Sequence, residues 1–141
     1  MLIFLNILTE TAIIAALGAS TFIVFTMPSS YSSDPRRLFG GYIVGISIGL
    51  FFSMLMEFIQ LFEESNYIYK YVIFGSISVG ISIFIMTITN TEHAPAAGIS
   101  LGLVINPYTL ETIAFIIVAI IWLYFIKRLL QPYLIDLRSN I

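Results

Sequence analysis

An all-α, polytopic bundle of transmembrane helices is the architecture this chain should adopt, with about five membrane segments, one of them short or broken. Composition and run length lead there. Hydrophobic residues fill 59% of the 141 positions and charged residues only 10%, and mean hydropathy is +1.00. A soluble domain carries about 25% charged residues, and no soluble fold of this size can hide so much apolar surface. The apolar positions also gather into runs that match the roughly 20 residues a spanning helix needs. The lipid bilayer is therefore the first partner, and residues 1–141 should form a single integral membrane domain.

Taken in order, the runs cover about residues 3–27, 38–61, 67–88 and 108–130. Met1 to Ile7 lack a basic leader region, so the first run reads as a retained helix. Asp34-Pro35 reads as an N-cap followed by proline at the first helical position of the second helix, and Asn106-Pro107 repeats that signature before the last. Trp122 and Tyr124 near Lys127, and Tyr67, Tyr69 and Tyr71 near Lys70, suit interfacial anchoring. Between the third and last runs lies Ala96 to Asn106, which at ~1.5 Å per residue reaches about 17 Å, roughly half the hydrocarbon core.

Charge placement bears on whether that short segment crosses. Arg36 and Arg37 follow the first helix, Glu63 and Glu64 follow the second, and Lys127, Arg128 and Arg138 lie at the C-terminal end. The positive-inside rule puts the Arg36–Arg37 loop and the C-terminus together on the cytoplasmic side. They share a side only if the short segment crosses. The expectation is five crossings in a prokaryotic plasma membrane, N-terminus outside and C-terminus inside; a re-entrant half-helix is the competing reading.

Two Gly-x-Ser elements, Gly18-Ala19-Ser20 and Gly98-Ile99-Ser100, stand 80 residues apart. Thr9-Glu10-Thr11 upstream of the first echoes Thr91-Glu92-His93 upstream of the second. This suggests an inverted repeat: one unit over about 9–61, a linking helix over 67–88 and a second unit over 91–130, an arrangement common in transporters. Chance likeness among small apolar residues is the bland alternative.

The residues able to carry chemistry are few. His93 is the sole histidine, placed beside Glu92 and just before Pro95 and the short segment. Broken helices at membrane depth are where such proteins handle polar cargo. The amides of Ala96, Ala97 and Gly98 would be free at the start of that segment, an anion site to which Ser100 adds a hydroxyl. Arg36 and Arg37 would form an anion-attracting mouth, although topology alone also explains arginine there. Glu10 and Glu57 are carboxylates near the ends of spans, while Glu111 in the first turn of the last helix suits the helix dipole. Gly41, Gly45 and Gly49, then Gly98 and Gly102, then Ser76 and Gly80, form small-residue ladders that let helices approach closely.

Exclusions are equally direct. With no cysteine and one histidine, neither a disulfide nor a metal site is expected. A net charge of −2 without a basic run argues against nucleic acid. No nucleophile triad, phosphate loop or cofactor motif is present, so no cofactor is expected and the chain does not read as an enzyme.

Gly18-Ala19-Ser20, Pro28, Pro35-Arg36, Gly40-Gly41 and His93-Ala94-Pro95-Ala96-Ala97-Gly98-Ile99-Ser100 together resemble the HPP family of small integral membrane proteins. The likeness spans about residues 15–105. That family is marked by Gly-Ala-Ser, then Pro-Arg and glycines, then His-Pro-Pro running into Gly-Gly-Ala-Thr; this chain departs at Ala94, in the second glycine pair and at Ser100. Members are described as nitrite transporters in plastids and cyanobacteria. The resemblance therefore implies a transporter or channel for a small anion such as nitrite, with Gly18, Ala19, Ser20, Arg36, Arg37, His93, Pro95, Ala96, Ala97, Gly98 and Ser100 around the cargo. A non-transporting scaffold, assembled through its glycine-rich helices, is the alternative. Five helices make a thin bundle in which Glu10 and His93 are hard to shield from lipid, so a homo-oligomer is expected.

Overall fold

A short helix encased by longer ones organises the molecule. The computed structural model describes residues 2–60, 67–106 and 109–135, and side chains over 11–59, 69–106 and 109–135. Glu63, Glu64, Pro107 and Arg138, and the side chains of Glu10 and Tyr67, lie outside the described residues. Among the described residues five α-helices follow one another: α1 (Leu2–Thr26), α2 (Pro35–Gln60), α3 (Tyr67–Ile88), α4 (Ala94–Ile105) and α5 (Leu110–Leu130). Short 3-10 turns, Tyr31–Ser33 and Gln131–Tyr133, precede α2 and follow α5. Among the described residues there is no strand.

The helix limits follow local chemistry. Asp34 caps α2 by accepting the Arg36 N–H at 2.8 Å, with Pro35 in the first turn. The cap expected at Asn106 is not the one used. Thr109 caps α5, accepting the Thr112 N–H at 3.1 Å, and Asn106 instead ends α4, its N–H reaching the Gly102 carbonyl at 3.1 Å. Helix α3 closes with Asn90 at φ 56°, Asn90 N–H on Thr87 O and Thr91 N–H on Met86 O. That is a C-terminal motif built on a left-handed residue, a role asparagine tolerates.

Helices α1, α2 and α3 all pack on α4. Gly98 faces Ala16 and Gly102 faces Ile13 on α1, so α1 and α4 run in opposite directions. The α2 ladder is spent on this contact: Cβ atoms added at Gly41, Gly45 and Gly49 would meet His93, the Ala96 carbonyl and Ser100. It faces α4, and so does not offer itself to a second polypeptide. On α3 the face turned inward is not the expected Ser76 and Gly80, both exposed, but Gly75, which lies against Leu101, with the buried Ser78 and Ser82.

The outside is apolar. Phe22, Ile43, Phe51, Phe84, Phe115 and Phe125 are each at least half exposed, as lipid-facing side chains are. Helices α2, α3 and α5 are each long and apolar enough to cross a membrane. Lys127 near the end of α5 bonds Ser33 just before α2. The arginine-bearing start of α2 and the end of α5 thus sit at one end of the bundle, the placement a crossing α4 requires.

Candidate functional site

The chain leaves α3 at Asn90 and re-enters helix at Ala94, and the turn between them delivers His93 into the bundle. His93 is the N-cap residue of α4, yet its side chain does not cap. The ring instead lies between α1 and α2, fully buried. Gly41 permits this, since a Cβ there would stand 2.8 Å from that of His93.

Three elements meet the ring. His93 Nδ1 lies 2.9 Å from the Ser32 carbonyl, Nε2 lies 2.8 Å from Ser20 Oγ, and Ser20 Oγ lies 2.8 Å from the Tyr42 hydroxyl. The tautomer follows from the partners. A carbonyl only accepts, so Nδ1 donates; in the neutral ring Nε2 then accepts from Ser20, whose oxygen accepts from Tyr42. The result is a directed chain, Tyr42 to Ser20 to His93 to Ser32. The Tyr42 and His93 rings also pack against each other, centroids 5.8 Å apart. Burial lowers the imidazole pKa below its usual 6.5, against the opposing pull of the Ser32 carbonyl, so the ring is neutral at pH 7.

A second cluster stands where the chain enters α2. Buried Arg37 forms an ion pair with Glu92 through Nη1 and donates from Nη2 to Asn90 Oδ1. Its guanidinium covers the Tyr31 ring, and the Tyr31 hydroxyl donates to Asn90 Oδ1 at 2.6 Å. The Glu92 carboxyl is held below its usual range, first by its own backbone N–H and then by Arg37 and Tyr31, against some desolvation.

The expected site residues separate in space. Ser20 and His93 touch, and Arg37 is tied to the residue preceding His93. Gly18 and Ala19 are exposed on the outside of α1, which is continuous there, so the first Gly-x-Ser is not a helix start. Arg36 is exposed beside buried Arg37. Pro95, Ala96 and Ala97 are buried, with Gly98 against Ala16. The Ala96 N–H, expected to be free, reaches the His93 carbonyl at 2.9 Å. Ser100 donates to its own helix at Ala97 O, 2.8 Å. Among the described residues no group of His, Cys, Asp and Glu could hold a metal ion.

Sequence reasoning missed Tyr42, Tyr31 and Asn90, and took Lys127 as a topology marker without its bonds to Ser33. Tyr42 directly follows the Gly40-Gly41 pair, and Tyr31 sits within a serine-rich loop, Ser29 to Ser33. A polar residue inside an apolar helix, next to a glycine that lets another element approach, is the signal that would have pointed to Tyr42.

Fold and site together define a small helical membrane protein with a histidine-centred polar chain buried among its helices. The model of the transmembrane region of HPP proteins matches residues 2–131, and the chain belongs to that family. Comparison with curated proteins and with solved structures gives no match.

Proposed function

We propose that this protein moves a small anion across the membrane, nitrite being the candidate its family resemblance suggests. One observation carries the reading: an ionisable side chain, His93, is wholly buried with Ser20 and Tyr42 inside a bundle whose outer surface is apolar. Polar and ionisable groups within a membrane bundle are expensive and mark substrate or proton pathways.

The entrance lies at the Arg36–Arg37 end, on the cytoplasmic side by the positive-inside rule. Exposed Arg36 draws the anion in. Arg37 receives it in exchange for the Glu92 carboxylate, because a guanidinium accepts either anion in the same forked geometry. Further in lie Ser20 and Tyr42, whose hydroxyls serve the anion once they turn from the chain that ends on His93. On this reading the described packing, α4 resting on α2 through Gly41 and Gly45, is the closed state. Passage requires the first turn of α4, residues Pro95 to Gly98, to part from α2, which uncovers that end of α4 and brings Ser100 within reach of the path.

A homo-oligomer remains part of the proposal, but not on account of His93, which a single chain shields fully. The test is flux in proteoliposomes holding the purified protein, with nitrite, nitrate, formate and chloride compared. The expected result is saturable anion flux that His93→Ala and Arg36→Ala abolish while still inserting. Absence of flux, or undiminished flux through both variants, would overturn it.

A further inference from the structure

We infer that a basic cleft beside α5 is a binding site for the phosphate of an anionic phospholipid headgroup. The cleft, of about 270 Å³, is lined by Pro35, Tyr124, Lys127, Arg128 and Gln131. The last four recur at three- and four-residue steps and so form one stripe that runs along the end of α5 to its C-cap residue, Gln131. Its chemistry is rich in donors. Arg128 is exposed and reaches the Tyr124 hydroxyl at 3.4 Å. Lys127 spends two of its three N–H groups on the Ser33 carbonyl and hydroxyl and brings its charge to the wall. Gln131 adds an amide. Among the described residues, the carboxylate in electrostatic reach of Lys127 is Asp34, whose Oδ1 already accepts the Arg36 N–H. Two cations therefore outweigh one engaged acid, and a guanidinium presents the forked donors that phosphate oxygens fit.

The surroundings select a lipid over a dissolved phosphate. Along α5, away from the cleft, the same stripe continues through exposed Ile121 and Ile117, an apolar track beside which an acyl chain can lie. The cleft also stands at the end of the bundle that carries Arg36, Arg37 and Lys127, the end expected to face the leaflet richer in anionic lipid. This assignment does not depend on what the protein transports.

The experiment is a thermal-melt titration of the full chain in detergent with phosphatidylglycerol, phosphatidylcholine or inorganic phosphate. Phosphatidylglycerol should raise the melting temperature saturably, and the other two should not. Arg128→Gln, at an exposed position that leaves folding intact, should weaken the phosphatidylglycerol effect roughly tenfold. Lys70→Gln, the same change of charge near the opposite end, should leave it intact. The assignment fails if phosphatidylcholine works equally well, if inorganic phosphate reproduces the whole shift, or if both variants weaken binding alike.

Discussion

At Ser20 one hydroxyl serves two buried partners, donating to His93 Nε2 and accepting from Tyr42. Ser20→Ala strands both, and each unsatisfied buried group costs about 1–3 kcal/mol. Tyr42→Phe removes only the outer donor and leaves the Ser20–His93 bond in place. Melts in detergent should therefore show Ser20→Ala as the more destabilised; the reverse order would refute the directed chain. His93 carries a pH signature as well. Its folded-state pKa lies below the usual 6.5, so the unfolded chain binds the proton more readily, and stability present above that value is lost as the pH falls. The melting temperature should drop from about pH 7 to about pH 5, and His93→Gln should flatten that slope. Glu92, held below 4.5, acts the same way in a lower window and does not confuse the measurement. How much of this was legible varied by residue. His93 announced itself as the sole imidazole, and Ser20 through its Gly-x-Ser element. Tyr42 did not, because an aromatic in an apolar run looks like core until a partner is found for its hydroxyl.

On α2 and α4 the decisive quantity is the space at each glycine. A Cβ at Gly45 would stand 2.3 Å from the Ala96 carbonyl oxygen, a backbone atom that cannot rotate away. Gly45→Ala should destabilise by about 1–3 kcal/mol, the usual cost of overpacking. At Gly80 nothing lies within 4 Å, and Gly80→Ala should be neutral or mildly stabilising, since alanine favours helix. Comparable losses at both positions would argue against the packing of α4 on α2. The helices themselves were readable from apolar run length and from the Asp34-Pro35 signature, and the expected limits differ from the observed ones by a few residues. Which face each helix turns inward was not. Every face of these helices is apolar, so periodicity gives no bias, and Gly75, Ser78 and Ser82 could not be told from Ser76 and Gly80 until α4 was in place. The Asn106-Pro107 signature misled because Asn106 is taken up in ending α4, and Thr109, three residues on, supplies the cap.

Across the whole molecule the central question is whether α4 carries the chain from one end to the other. The absence of native cysteine makes single introduced thiols clean reporters. Ser29→Cys and Gln131→Cys should react with an impermeant reagent from the same side, and Leu110→Cys, at a position 85% exposed, from the other. Labelling of all three from one side would make α4 re-entrant. The encasement of α4 also has a consequence for how the protein is made. At 12 residues, and so about 18 Å long, α4 cannot cross the hydrocarbon core unaided, yet it is the element on which α1, α2 and α3 converge. The ribosome completes those three first, so they must wait in the bilayer with an open groove, Ser20 and Tyr42 lining it without their histidine. The late-emerging segment is then admitted by its neighbours rather than by its own hydrophobicity. Synthesis therefore passes through a state with a vacant polar groove, and the arrival of α4 ends that exposure.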